Sequence, residues 1–416
     1  MRRLECLDGL RGLLALYVLV SHMIPFAALP GWVTRPLLHG GAAVDVFFIL
    51  SGMVIIRSLK SFDYQPKPFL VARVGRIFPV FLVVFPLAVA IQVLPIGFGQ
   101  MPWIQPEGPA HMTWSEGWPA TWMPEIAAHL VLAQGLFPDG ILPNAWVSFL
   151  GSAWSLSTEW QFYLLIAFVA CSHRRTRNRL TGRYEHPGRC VTADTRPNLI
   201  SRAAAPLTPR AYQSTFRSPG MRSWEWLVWM FLVLSVLAIG TQALSPEGWQ
   251  FSRAFLPNKA QYFALGMAAA ALQATPGRPM MARYGTVLVC TTILCWLQGG
   301  AIKVIAPLVW TACLGAQMRP EMPGLRNLSK LLRSRLLLWL GALSYCIYLA
   351  NEPVQKLLGV ELAHMLPGSA LLFTIVWLPA AVMAPIGVAW ALHRTVEPAG
   401  QAWGRSASGR LRLSGA

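Results

Sequence analysis

The sequence predicts an all-α integral membrane protein with about ten transmembrane helices. Three observations lead to this prediction: 55% of the 416 residues are hydrophobic, only 12% are charged, and apolar segments of membrane-spanning length recur along the whole chain. A helix of about 20 apolar residues crosses ~30 Å of hydrocarbon and satisfies its own backbone polar groups. We therefore expect a single transmembrane domain over residues 1–416.

The positions of Lys and Arg orient the predicted helices, because short loops rich in these residues stay in the cytoplasm. Arg2 and Arg3 precede the first span, and no Lys or Arg occurs between Arg76 and Arg174. Alternation then places both termini in the cytoplasm. The predicted spans are residues 7–26, 40–56, 77–96, 152–171, 226–244, 255–272, 284–297, 301–317, 336–354 and 370–393.

Three further segments are assigned by length and composition. Residues 126–137 are apolar but too short to span, which predicts a re-entrant or interfacial helix. Residues 172–223 are rich in Arg, Thr, Pro and Ser, and we predict a disordered, basic cytoplasmic loop, either simply solvated or bound to anionic lipid headgroups. Residues 394–416 are predicted to form a basic cytoplasmic tail. The N-terminal run resembles a signal peptide, but Arg11 and His22 within it favour a retained helix.

Composition also bears on partners and cofactors. The net charge of +18 comes from Lys and Arg between apolar segments, so we expect membrane lipids and no nucleic acid as partners. Seven cysteines show neither paired zinc-ligand spacing nor a disulfide framework. We expect no metal, and the sequence has no glycine-rich phosphate loop of the Gly-x-x-x-x-Gly-Lys type.

The first helix carries ionisable residues where they are costly. Arg11 and His22 are eleven residues apart, which puts them about 20° apart around the helix and ~16 Å apart along it. Charged groups at membrane depth cost about 2.5–3.5 kcal/mol on insertion scales and usually line a cavity or reaction path. A structural ion pair with Asp8 is the alternative for Arg11.

Two carboxylates are predicted to reach the depth of His22. Asp45 enters with the second helix and Glu159 with the fourth. A neutral imidazole beside a carboxylate can take a proton from an attacking hydroxyl, so these three residues are candidate catalytic groups. Arg73 and Arg76, at the opposite end of the membrane, suit phosphate binding, although ordinary positive-inside charge explains them equally well.

Four motifs occur in the order found in the membrane-bound acyltransferase-3 family, which the chain resembles. They are Leu7-Asp8-Gly9-Leu10-Arg11-Gly12 with His22; Val44-Asp45-Val46-Phe47-Phe48-Ile49-Leu50-Ser51-Gly52; Arg73-x-x-Arg76; and Trp154-Ser155-Leu156-Ser157-Thr158-Glu159. The resemblance implies a multi-pass enzyme of the bacterial inner membrane. It would move an acyl group, commonly acetyl, from cytoplasmic acyl-CoA to a hydroxyl of a glycan or lipid-linked sugar outside.

The resemblance also assigns residues. His22 matches the essential histidine of the family, Arg11 the arginine before it, Arg73 and Arg76 the paired arginines, and Glu159 the acidic residue. The late family pattern Tyr-Leu-x-His-x-Pro departs here, because Asn351 replaces its histidine. Asn351 cannot act as a base, and we expect it to bind the acceptor, together with Ser155, Ser157 or Tyr163.

The resulting hypothesis is an O-acyltransferase with acetyl-CoA or another acyl-CoA as donor. His22 serves as general base, with direct transfer and an acyl-enzyme relay both open. Lipopolysaccharide, exopolysaccharide, a secreted oligosaccharide and a small glycoside all fit as acceptor. Four external tryptophans are candidates for sugar stacking, and equally for anchoring at the membrane interface: Trp103, Trp114, Trp118 and Trp122. The alternatives are a transporter or proton-coupled carrier, and a catalytically inactive binding protein.

Overall fold

The structure, a computed structural model, describes residues 4–114, 117–180, 222–246 and 248–414. These residues contain helices and no strand, as the sequence predicts. The thirteen α-helices are α1 Glu5–Met23, α2 Gly31–Thr34, α3 Gly40–Ser61, α4 Pro66–Ile91, α5 Pro109–Thr113, α6 Trp122–Leu130, α7 Trp154–Leu180, α8 Arg222–Leu244, α9 Ala260–Ala274, α10 Arg278–Met318, α11 Pro323–Leu332, α12 Arg335–Met365 and α13 Ala370–Ser414.

Several helical segments are long and apolar enough to cross a membrane. Within the described residues there are six, with mean hydropathies between 1.5 and 2.3: Glu5–Phe26, Gly31–Ser61, Pro66–Ile91, Glu225–Leu244, Arg278–Met318 and Ala370–Arg412. The protein is therefore a multi-pass membrane protein. The other predicted spans, in α7, α9 and α12, are also helical but richer in polar or small residues.

Some helix ends differ from the sequence predictions. Helix α7 continues to Leu180, nine residues past the predicted end, and the remainder of the predicted loop up to 221 lies outside the described residues. Helix α13 runs through the predicted tail to Ser414. Polar residues can continue a helix, and α13 does so past Pro398, so hydropathy marks where apolar character stops and not where the helix ends.

Helix α10 contains the break that the sequence predicts between its two apolar stretches. Gly300 has a φ of 65°, in the left-handed region that favours glycine, and it follows Gly299. The short apolar segment at 126–137 forms only the end of α6 and a single 3₁₀ turn, Gln134–Leu136. This segment is too short to span, in agreement with its length in the sequence.

Helix α1 lies at the centre, packed against α3 and α12. The contact with α12 is close because glycines face each other: a Cβ at Gly341 would overlap the backbone of Asp8, and one at Gly12 would overlap the backbone of Leu337. Small residues at such crossings let helix backbones approach in a membrane. This approach holds the segment that carries Arg11 against α12.

The helix ends gather at two faces. At the first, which we call the basic face, Cys6 lies beside Gln317 and Arg333, and Arg412 donates a hydrogen bond to the carbonyl of Ser61. At the other, the opposite face, Trp377 Nε1 donates to the carbonyl of Met23 at 2.9 Å, and Gly368 N–H donates to that of Gln100 at 3.0 Å. Helix α1 thus runs from the basic face to the opposite face.

Candidate active site

The candidate catalytic histidine is held by Asn351. His22 Nδ1, near the end of α1, lies 2.6 Å from Asn351 Oδ1 on α12. Asn351 is completely buried, and its Nδ2 donates to the carbonyls of Ile347 at 3.0 Å and Tyr348 at 2.6 Å. The sequence leaves these two residues 329 positions apart, and the packing of α1 on α12 brings them together.

These hydrogen bonds assign the tautomer of His22. Both carbonyls require a donor, so the amide nitrogen of Asn351 must face them and its oxygen must face the imidazole. His22 Nδ1 therefore carries the hydrogen of the neutral ring, and Nε2 carries the lone pair. An imidazole oriented in this way can accept a proton at Nε2.

A cavity of about 170 Å³ runs between α1, α3, α4, α7 and α12. Six of the predicted site residues line it: Arg11, Arg73, Arg76, Ser155, Glu159 and Tyr163. His22, Asp45, Ser157 and Asn351 do not line it. The cavity is smaller than the roughly 300–1,000 Å³ typical of drug-sized ligands, so it suits a narrow chain and not a nucleotide.

The end of the cavity nearer the basic face is cationic. Arg73 is buried, its guanidinium lies 5.1 Å from the ring centre of Tyr163 and 5.4 Å from that of Phe69, and it donates a hydrogen bond to Ser58. Its Nε has no hydrogen-bond partner among the described residues. The guanidinium of Arg73 thus lies near Arg76 and Arg11, where an anionic ligand would be stabilised.

Besides Asp8, Glu159 provides a carboxylate within this cavity. Its Oε1 accepts a hydrogen bond from Ser51 Oγ at 2.9 Å and another from the Tyr163 hydroxyl one turn along α7. Ser51 belongs to the motif on α3, so two of the sequence motifs meet here. Glu159 faces arginines and hydroxyls, and it partly balances the three arginines of the lining.

Tyr348 links the cavity to the His22 pair, through its hydroxyl on one side and its backbone carbonyl on the other. Ser155 Oγ donates to the Tyr348 hydroxyl at 2.8 Å, and both residues line the cavity at the end away from the arginines. The carbonyl of Tyr348 accepts from Asn351, which in turn contacts His22. The histidine therefore lies about one helical turn beyond the cavity, toward the opposite face.

Two predicted residues have other partners. Asp45 Oδ1 lies 2.6 Å from Lys259 Nζ and its Oδ2 lies 3.3 Å from Lys303 Nζ, so its carboxylate is engaged by two lysines. Ser157 Oγ accepts from the backbone N–H of Gly135 at 3.1 Å and from Gln161. The structure thus brings neither residue to His22.

Glu352 is a site residue that sequence reasoning missed. Its two carboxylate oxygens accept hydrogen bonds from the backbone N–H groups of Gly151 and Ser152, at 3.0 and 2.8 Å. It also lies within electrostatic range of His22. A signal for it existed, because a carboxylate directly follows Asn351 within an apolar segment.

The four tryptophans between 101 and 124 divide into two pairs. Trp114 is buried and stacks on Phe26, and Trp103 Nε1 donates to the carbonyl of Phe26 at 3.0 Å. Trp118 and Trp122 are 40% and 38% exposed and pack edge to face with ring centres 5.2 Å apart. The first pair stabilises the fold, and the second presents aromatic surface.

One cluster of potential metal ligands occurs among the described residues. Cys346, His393 and Glu397 place ligand atoms within 4.8 Å of one another. Glu397 accepts hydrogen bonds from Cys346 Sγ at 3.4 Å, His393 Nδ1 at 2.7 Å and Gln401 Nε2 at 2.9 Å. These donors satisfy the carboxylate, and none of the three cluster residues, which lie on α12 and α13, lines the cavity.

Sequence comparison agrees with the arrangement of the motifs. The profile of the acyltransferase-3 family, described as "Acyltransferase domain", matches residues 4–394. The chain belongs to this family. All four motifs and the late Asn351 segment fall within the matched range, so the cavity and the His22 pair are features of an acyltransferase-3 protein.

Two curated proteins are similar to part of this chain. A putative membrane-bound transacylase, BcsY, of Komagataeibacter xylinus is 30% identical over 180 residues, and the acyltransferase MdmB of Streptomyces mycarofaciens is 32% identical over 168. The matched stretches cover 42% and 39% of this chain, and 39% and 38% of those relatives. No solved structure matches the chain significantly.

Proposed function

We propose that the protein transfers an acyl group, in the first instance acetyl, from acyl-CoA to a hydroxyl of a glycan or lipid-linked sugar. Membership of the acyltransferase-3 family gives acyl transfer in a membrane. The single observation that carries the mechanism is the hydrogen bond between His22 and Asn351, which leaves Nε2 as a base. His22 lies just beyond the end of the cavity that is away from the arginines.

The donor enters from the basic face, which we assign to the cytoplasm of a bacterial inner membrane by the positive-inside rule. Arg11, Arg73 and Arg76 hold the phosphates of the CoA moiety at the mouth of the cavity. The cavity is too narrow for the nucleotide, so only the pantetheine arm extends inward. This arrangement carries the thioester toward Tyr348 and Ser155.

The acceptor comes from the opposite face, where Trp118 and Trp122 offer surface for a sugar ring. His22 Nε2 removes the proton of the acceptor hydroxyl as its oxygen attacks the thioester carbonyl carbon. The carbon–sulfur bond breaks, and the leaving CoA thiolate takes the proton back from the imidazolium. Asn351 accepts from Nδ1–H throughout, and the nearby carboxylate of Glu352 stabilises the imidazolium.

The test is transfer of label from radiolabelled acetyl-CoA by the purified protein in nanodiscs, with and without an envelope-glycan extract. We expect the wild type to release CoA and to label sugar only when the extract is present. His22→Ala should lose transfer by about 10²–10⁴-fold, the usual contribution of a general base. His364→Ala is the matched control, because that histidine on α12 is exposed and its Nδ1 bonds the carbonyl of Val360 in its own helix.

Three results decide how the test is interpreted. Transfer that survives His22→Ala removes the histidine from the mechanism. Loss of transfer in His364→Ala as well as His22→Ala would indicate general damage to the protein. A wild type that fails to bind acetyl-CoA and other acyl-CoA donors would point to transport, the competing class for ionisable residues in a membrane bundle.

A further inference from the structure

Positive charge exceeds negative charge beside the acceptor side of the site. Asp45 is fully buried and paired with Lys259 and Lys303, and Arg253 also lies within electrostatic range of it. Three cations therefore surround one carboxylate. The group is formally +2 at a position where the positive-inside rule expects few cations.

Arg253 is the member of this group that is open to a ligand. Its side chain is exposed, and its guanidinium lies 4.9 Å from the ring centre of Trp146 and 5.9 Å from that of Trp154. The described residues offer its guanidinium no hydrogen bond. Two indole rings hold the group by cation–π contact and leave its N–H donors unused. A guanidinium held in this way is pre-organised for a bidentate oxyanion.

The position of Arg253 ties it to the reaction site. Trp154 directly precedes Ser155, which lines the cavity and bonds Tyr348. Arg253 lies within electrostatic range of Tyr348, whose carbonyl accepts from Asn351. It also lies beside Gly41, where α3 begins at the opposite face. Arg253 thus borders the same end of the cavity as His22.

We propose that Arg253 binds an oxyanion of the acceptor, a carboxylate or phosphate close to the hydroxyl that is acylated, so that the acceptor is an anionic glycan. The inference rests on the proposed acyl transfer and adds its substrate class. The half-buried Lys303 pairs with Asp45 and adds to the positive field around Arg253, while the buried Lys259 neutralises Asp45. A carboxylate of an acidic sugar and a phosphate of a lipid-linked sugar present the same chemistry to the guanidinium.

The experiment is the nanodisc transfer assay with the envelope-glycan extract as acceptor, run for the wild type, Arg253→Gln and Arg253→Lys. Gln keeps a side chain that packs between the indoles and removes the charge. We expect the extract concentration at half-maximal rate to rise at least about tenfold in Arg253→Gln, the size of a lost charge-assisted hydrogen bond, and less in Arg253→Lys. Acetyl-CoA affinity should stay unchanged.

Arg35→Gln is the matched control, because Arg35 is an exposed arginine that ends α2 at the same face. The labelled wild-type product should bind an anion-exchange resin. Carbodiimide and borohydride reduction of the extract should abolish acceptance if the oxyanion is a carboxylate, and mild acid release of phosphate-linked sugars should abolish it if the oxyanion is a phosphate. Analysis of the wild-type product needs no variant, so it tests whether the acceptor is anionic even if Arg253→Gln fails to fold.

Label recovered only on neutral sugar would overturn the inference while leaving acyl transfer intact. An Arg253→Gln enzyme with wild-type half-saturation would do the same. A lower maximal rate with unchanged half-saturation would mean that Arg253 has a structural role and would also overturn it. Absence of transfer by the wild type with any donor would instead contradict the proposed function, and this inference with it.

Discussion

Glu352 on α12 caps the beginning of α7 through Ser152. Its Oε2 accepts the backbone N–H of Ser152 at 2.8 Å, and its Oε1 accepts that of Gly151 at 3.0 Å. These N–H groups belong to the 3₁₀ turn that leads into α7, where helical N–H groups have no partner in their own helix. One carboxylate next to Asn351 thereby fixes the distance between the His22 pair and the Ser155 end of α7.

Removing this cap should destabilise the protein. Glu352→Ala leaves two N–H groups without an acceptor, each at a cost of about 1–3 kcal/mol when buried. Glu352→Gln keeps one acceptor oxygen and should lose less. We expect the apparent Tm in detergent to fall in the order wild type, Gln, Ala. Glu361 is an exposed carboxylate on the same helix, so Glu361→Ala should leave Tm unchanged. If Tm fell equally in Glu361→Ala and Glu352→Ala, the loss could not be assigned to the cap.

Asn351 should be a positioning residue whose loss lowers turnover more than binding. Asn351→Leu keeps the volume but removes the oxygen that accepts His22 Nδ1–H. We expect kcat to fall about 10- to 100-fold, a part of what a general base contributes, while KM for acetyl-CoA stays the same. Asn327→Leu, at an exposed asparagine of α11, is the control. A selective rise in acceptor KM would instead make Asn351 an acceptor-binding residue.

Asp45 should matter for folding through its lysines. Removing one member of a buried ion pair typically costs about 3–5 kcal/mol, because the remaining charge is stranded. Asp45→Asn should therefore lower Tm strongly, since it strands the buried Lys259. Asp45→Asn combined with Lys259→Met should recover most of that loss. If the double variant folds as well as the wild type but transfers nothing, Asp45 acts in catalysis and not only in this pair.

His129 should make stability depend on acid pH. It is buried on α6, stacks on Phe85 with ring centres 5.2 Å apart, and its Nδ1 bonds the carbonyl of Glu125. Burial lowers the pKa of His129 to about 4. The unfolded chain therefore binds more protons than the folded protein between pH 6.5 and about 4, so the free energy of unfolding should fall as pH falls through this window.

The measurement for His129 is the apparent Tm in detergent at several pH values between 7 and about 4. His129→Phe keeps the stack on Phe85 and removes the titrating group, so its Tm should fall less steeply over that range. His111→Phe is the matched control, because His111 also stacks on a phenylalanine but is only half-buried. Equal slopes in the wild type and His129→Phe would assign the pH dependence to other groups.

The sequence predicts helices and polar motifs well but predicts partners poorly. Among the described residues, the predicted apolar stretches are helical, and six helical segments are long and apolar enough to span a membrane. The cost of Arg11 and Glu159 in the bilayer marks them for the cavity that they line. Depth alone, however, puts both Asp45 and Glu159 near His22 and does not single out Asn351. Rotation of each helix about its axis decides among them, and that rotation depends on packing. Asp45 accordingly faces Lys259, 214 positions away, and Asn351 faces His22.

The close contact between α1 and α12 at Gly341 should be required for the geometry of the whole site. A Cβ at Gly341 would overlap the backbone carbonyl of Asp8, so Gly341→Ala must push α12 away from α1. Asp8 lies three residues before Arg11, and ten residues after Gly341 comes Asn351, so this displacement should disturb both the cavity and the His22 contact. We expect a lower Tm and reduced transfer together. Gly387→Ala, where a Cβ meets open space, is the control, and a Gly341→Ala protein with normal Tm and transfer would show that the two helices can adjust.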